Sequence, residues 1–144
     1  MTSGPLIRLD HVNIRTAKLA ALRDFYCDVL GMEAGPRPGF AFGGAWLYSG
    51  TGAGRQATVH LVEVAEQPAP QGALRLEHFA FAASGLAGFL ARLKDRGVAY
   101  RIGVIRDFGI VQVNVHDPDG NHIHVDFPAA EAAGIADEPA LAGL

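Results

Sequence analysis

Leu9-Asp10-His11-Val12-Asn13-Ile14 opens one strand-like segment, and Leu76-Glu77-His78-Phe79-Ala80-Phe81 opens another with the same order of apolar, acidic and imidazole side chains. The offset is 67 residues, and it carries beyond the motif: Leu19 falls on Leu86 and Leu22 on Phe89. His60 follows His11 by 49 residues, and His124 follows His78 by 46. Two histidines therefore recur at matching places in two halves of a 144-residue chain, the mark of a duplicated unit. If the halves fold alike, the four imidazoles His11, His60, His78 and His124 meet near a pseudo-two-fold axis, which makes them candidate metal ligands.

Each half carries the same order of elements. Residues 8–15 alternate as a half-buried strand, with Val12 and Ile14 on one face and His11, Asn13 and Arg15 on the other. Thr16 is a candidate helix cap, and Leu19, Leu22, Phe25, Tyr26, Val29 and Leu30 form an apolar stripe at helical spacing that stops at Gly31. A loop from Gly35 to Gly39 and strands near 40–49 and 57–64 follow. After the linker Gln67-Pro68-Ala69-Pro70-Gln71-Gly72 the order restarts. A strand spans 75–82, Ser84 is a candidate cap, and Leu86, Phe89, Leu90 and Leu93 make the stripe of a helix ending at Gly97. Strands near 99–105, 110–116 and 122–127 complete it. The expectation is an α+β fold of two tandem βαβββ modules, residues 6–66 and 73–127, within one domain over 1–127. An Ala/Gly/Pro-rich tail, 128–144, either frays or docks as a short helix.

Strand side chains alternate between faces. Val111, Val113 and Val115 oppose Gln112, Asn114 and His116; beyond the Asp117-Pro118-Asp119-Gly120 turn, Ile123, Val125 and Phe127 oppose His122, His124 and Asp126. The apolar face belongs under the helices, so the repeated histidines lie on the other face, inside any cup that the sheet forms. His116 and His122 have no counterpart in the first half and are expected to be solvated or to lie outside the ligand set.

Composition excludes several classes. Apolar residues make up 49% of the chain, ample for a core. A net charge of −3 gives no electrostatic attraction to nucleic acid, and no apolar run reaches the ~18 residues of a membrane span. The N-terminus lacks the basic and apolar regions of a signal peptide, and the single cysteine, Cys27, cannot form an internal disulfide, so a cytoplasmic setting is expected.

The two βαβββ modules, Asp10-His11-Val12, Phe25-Tyr26 with Val29-Leu30-Gly31, and Asp117-Pro118-Asp119-Gly120-Asn121 before the last strand resemble the vicinal oxygen chelate superfamily over about residues 6–127. That superfamily includes glyoxalase I, extradiol dioxygenases, epimerases and bleomycin-binding proteins. The resemblance implies a cupped mixed sheet, with one metal ligand from the first and one from the last strand of each module. Those positions are His11, His60, His78 and His124. Family members usually have a carboxylate in the final position, where this chain has His124; Asp126, two residues on and on the same face, is the candidate carboxylate for proton transfer. Imidazoles suit Zn, Ni, Fe or Cu better than Mg or Ca, and the metal expected is a divalent Zn, Ni, Fe or Mn ion.

The resemblance implies a metal-dependent enzyme acting on a small substrate with adjacent oxygens. A glyoxalase-like lyase or isomerase ranks first, then an extradiol-type dioxygenase, then a non-catalytic binder of a drug or metabolite. It also implies a homodimer. Trp46, Tyr48, Gln112 and Asn114 are candidate substrate contacts; Phe40 and Phe42 share a strand face and could join the same wall. Gly50, Gly52 and Gly54 read as a turn, because a strand and not a helix follows them. Arg37 and Arg55 are loop charges, and Cys27 is a packing residue.

Overall fold

The computed structural model describes residues 4–69, 74–135 and 137–138. It divides into two compact units, Met1–Ala69 and Pro70–Leu144. Each holds one four-stranded mixed sheet and one principal helix. Part of the expected linker, residues 70–72, and the end of the tail, 139–144, lie outside the described residues.

In the first unit the strands are β1 (Val12–Thr16), β2 (Glu33–Gly35), β3 (Gly44–Ser49) and β4 (Gln56–Glu63), in sheet order β1-β4-β3-β2. β1 runs parallel to β4, and the other pairs are antiparallel. Helix α1 (Leu19–Asp24) continues as a π-helical turn over Phe25–Val29. Leu22 and Tyr26 are fully buried with Leu47, Val59 and Leu61, so the apolar stripe of the helix and the odd-numbered positions of β4 form the core.

Expected and observed boundaries differ for physical reasons. Residues 8–11 are not in a ladder, because the register of β3 against β4 jumps from Leu47↔Val59 to Tyr48↔Ala57 and leaves Thr58 in a bulge; β1 first pairs at Val12↔Val59. β2 lies at the edge of the expected loop and is too short to show alternation. Its pairing depends on Gly35, where a Cβ would stand 2.7 Å from the Tyr48 ring. β3 begins at Gly44 and not at 40: Phe40 and Phe42 stack in a loop that Arg37 closes, donating to the Phe42 carbonyl at 3.1 Å and facing both rings. Thr16 does not cap the helix in the expected way; its Oγ1 accepts from the Lys18 N–H at 2.9 Å, a turn that ends β1.

The second unit repeats the plan with β5 (His78–Ala82), helix α2 (Leu86–Asp95), β6 (Arg101–Ile105), β7 (Ile110–His116) and β8 (His122–Pro128), in sheet order β5-β8-β7-β6. Leu86, Leu90 and Leu93 of α2 are buried with Val111, Val113, Ile123, Val125 and Phe127. The turn between β7 and β8 is held by the buried Asp117. Its Oδ1 accepts from the N–H groups of Asp119 and Asn121, and its Oδ2 from the Asn121 amide. Gly120 supplies the left-handed backbone at φ 87°. This turn fixes His116↔His122, Asn114↔His124 and Gln112↔Asp126, and with them the whole polar face.

Ser84 does not cap α2. The cap comes from the tail, where Glu131 accepts from the Gly85 and Leu86 N–H groups at 2.8 and 2.9 Å. Residues Ala129–Ile135 form a 3₁₀ helix, and beyond it the buried Glu138 takes Lys94 at 2.6 Å and the Tyr100 hydroxyl at 2.8 Å. The described part of the tail is therefore docked by two glutamates. Among the described residues no helix is long and apolar enough to cross a membrane.

Candidate functional site

β5 and β8 lie side by side and parallel, so His78 stands opposite His122, and Ala80 opposite His124. The alternation of β8 buries Ile123, Val125 and Phe127 and turns His122, His124 and Asp126 to the other face. The His78 and His124 rings stack at 3.9 Å and 11°, and His122 meets both rings edge-on. One ligand atom from each of His78, His122 and His124 lies within 4.8 Å of the others. Glu77 serves two rings: one carboxylate oxygen takes His78 Nδ1, the other His122 Nδ1 at 2.8 Å. Asn114, expected to contact substrate, is buried; its Oδ1 faces His122 Nε2 at 2.9 Å, and its amide donates to the Arg101 carbonyl. Gln112 stands opposite Asp126.

Two buried atoms on this face lack a hydrogen-bond partner: His124 Nδ1 and Asp126 Oδ1. Buried polar atoms are nearly always paired, so each is available to a ligand or a water molecule.

In the first unit, His11 stacks on His60 at 3.9 Å, and Trp46 stacks on His60 at 3.9 Å. His11 Nδ1 bonds Asp10 Oδ2 at 2.7 Å, the counterpart of the His78–Glu77 contact. Gln56 donates to the other Asp10 oxygen and to the Asp10 carbonyl. His60 Nε2 donates to the Ala57 carbonyl at 3.1 Å, leaving Nδ1 as its candidate ligand atom. Tyr48 does not join Trp46 as a free pocket wall. Its hydroxyl donates to the Pro36 carbonyl, and Arg55, which also meets Glu33, covers its ring at 4.1 Å. Arg37 and Arg55 are thus occupied in loop structure. Cys27 is half-buried and burial raises its thiol pKa, as expected for a packing residue.

Burial, then the neighbouring imidazoles, hold His60 and His124 below the ordinary imidazole range; His11 acts on the first, and His78 and His122 on the second. Asp10 beside His60, and Asp126 and Glu77 near His124, act in the opposite sense. Neutral imidazole is the metal-binding form, and burial favours it at both positions. A folded-state value below the unfolded 6.5 means that the unfolded chain takes up protons first on acidification. Stability present above that pH is then lost progressively below it. The melting temperature of metal-free protein is expected to fall from pH 7 to pH 5, with a flatter profile in a His60→Gln/His124→Gln variant. A wild-type profile that rises over that span would contradict the assignment. Asp10 and Glu77, held below the usual carboxylate range by bonds to His11 and to His78 and His122, act only in a more acidic window.

The residue that sequence reasoning set aside is His122. A signal was available: it shares a β8 face with His124 and, in a parallel pair with β5, falls directly opposite His78.

The family model for the Glyoxalase/Bleomycin resistance protein/Dioxygenase superfamily matches residues 8–125. No curated protein matches the chain in sequence. Among solved structures, one from Bacillus anthracis assigned to the glyoxalase family is similar at 24% identity and TM-score 0.68, over 88% of this chain and 99% of that one. A lactoylglutathione lyase from Agrobacterium tumefaciens is similar at 22% identity and TM-score 0.60, over 88% and 98%. An antibiotic binding protein from Streptomyces sp. CB03234 is similar at 26% identity and TM-score 0.60, over 88% and 99%. The match to the family model covers both repeated units, and the chain belongs to the Glyoxalase/Bleomycin resistance protein/Dioxygenase superfamily.

Proposed function

We propose that the protein is a metal-dependent enzyme acting on a small compound with two adjacent oxygen atoms, a glyoxalase-like lyase or isomerase. The observation that carries this reading is the unpartnered, buried His124 Nδ1 beside the rings of His78 and His122. The donors fit a borderline divalent ion such as Zn, Ni or Fe, with His78 and His124 as its ligands in the second unit. His11 and His60 are the matching candidates in the first unit. A divalent metal held by these histidines would supply Lewis-acid polarisation of the paired substrate oxygens. The chain's own contribution to proton transfer falls to Asp126. Its Oδ1 is buried without a partner, it shares the face of His124, and a carboxylate there can take a proton from carbon beside the polarised oxygens.

Iron oxygenases of the facial-triad type use two histidines and one carboxylate, whereas the three-residue group here is all imidazole. Ring-cleaving enzymes of the family are often about twice this long, which puts lyase or isomerase chemistry ahead of ring cleavage. A second reading, a non-catalytic binder of a planar drug or metabolite, draws on the stacked rings of His11, His60 and Trp46 and on the likeness to an antibiotic binding protein. Exposed Leu6, Ile7 and Leu9 ahead of β1, and Leu74 and Leu76 ahead of β5, support a homodimer that covers them. The test is elemental analysis of protein purified without added metal or an affinity tag, followed by turnover of 2-oxoaldehyde hemithioacetals. About one metal per chain with turnover supports the enzyme. No metal and no uptake on titration transfer the assignment to the binder.

A further inference from the structure

We propose that the second unit forms a self-contained three-imidazole metal site in which His122 is the third ligand and Glu77 aims two of the three rings. The inference rests on the metal-dependent reading above and deepens it, because His122 adds a ligand within one module.

The register brings the three together. His78 and His122 are directly opposed on neighbouring strands, and His124 follows on the same face of β8, opposite the small Ala80. Their ligand atoms already lie within 4.8 Å of one another. A tetrahedral ion with Zn–N bonds of about 2.0–2.1 Å needs separations of roughly 3.3 Å, so the three rings would close by at most about 1.5 Å. Glu77 holds both His78 and His122 by Nδ1, so both rings present Nε2. A carboxylate behind a ligating histidine fixes its tautomer and raises its basicity, and here one carboxylate does this for two rings. His124 brings the orphaned Nδ1. His122 Nε2 gives up Asn114 Oδ1, while the Asn114 amide keeps the Arg101 carbonyl. Three imidazoles would leave a fourth position of a bound Zn, Co or Ni ion for a substrate oxygen.

Among its described residues the first unit lacks this arrangement. The position two residues before His60 is Thr58, which lies in the bulge and bonds Ser49. His60 spends Nε2 on a backbone carbonyl, and the second Asp10 oxygen holds Gln56 in place of a second ring. The metal-binding capacity is therefore asymmetric between two units of the same plan.

The experiment is a Co(II) titration of the full chain followed by d–d absorption, with Zn(II) competition, for wild type, His122→Ala, His122→Asn, Glu77→Gln and His116→Ala. His116 stacks on His122 yet is exposed, which makes it the control. The expected result is at least tenfold weaker binding in both His122 variants, about tenfold in Glu77→Gln, and less than threefold change in His116→Ala. Far-UV circular dichroism of the metal-free proteins separates ligand loss from misfolding, and the asparagine variant preserves polarity on β8 if alanine does not fold. Wild-type binding with both His122 variants within threefold overturns the third ligand while leaving a metal enzyme in place. No uptake by wild type overturns the metal-dependent reading as well.

Discussion

His124→Ala is expected to lower divalent-metal affinity at least a hundredfold and to remove turnover. The ring is positioned by β8, whose neighbours Ile123 and Val125 are buried, so the backbone cannot rotate the side chain elsewhere without expelling core. Its Nδ1 has no protein partner to fall back on. Removing a group that merely orients a ligand already costs about 10–100-fold in affinity, and removing the ligand costs more. His78→Ala is expected to match it, because the two rings stack at 3.9 Å and belong to the same cluster. His124→Glu restores the carboxylate that relatives usually carry there, and the variant is expected to keep metal. The check is metal per chain by elemental analysis, with equilibrium Co(II) titration for the affinity. Full metal retention by His124→Ala would remove the second unit from the assignment.

The repeat made most of this architecture legible. The 67-residue offset places His11 and His78 just ahead of or at the start of β1 and β5, and the alternation of β8 puts His124 on the face away from Phe127. What stayed hidden depends on pairing between strands rather than on pattern along one. The bulge at Thr58 shortens β1 and is invisible without its partner β3. β2 has three residues, too few for a period, and exists because β3 lies beside it. The cap of α2 comes from Glu131, 46 residues after Gly85, so no local motif announces it. His122 illustrates the same limit at the site. Judged by the internal repeat it has no counterpart, but the parallel pairing of β5 with β8 sets it against His78. Repeats reveal what two units share, and the unshared imidazole beside His78 needed the register.

Phe127→Ala is expected to destabilise the fold by about 3–5 kcal/mol, a large part of the ~5–15 kcal/mol that a domain of this kind commands. The ring is 2% exposed and packs at 5.5 Å against Phe89 of the α2 stripe. It projects from the face of β8 opposite His122 and His124, so it supports the site without touching a ligand. That separation makes the variant a test of both core and metal. A ligand that binds only the folded state stabilises by about 4.1 kcal/mol at a thousand times its Kd. Zinc at that level should therefore restore most of what Phe127→Ala loses, and should shift wild type by a similar free energy, since distant effects add. The His124→Ala/Phe127→Ala double variant should show no recovery. Urea unfolding with and without zinc reads all three. Recovery in the double variant would mean that the stabilising ion binds somewhere other than His124. No shift in wild type would mean that folding and metal binding are unconnected, contrary to a site built on β5 and β8.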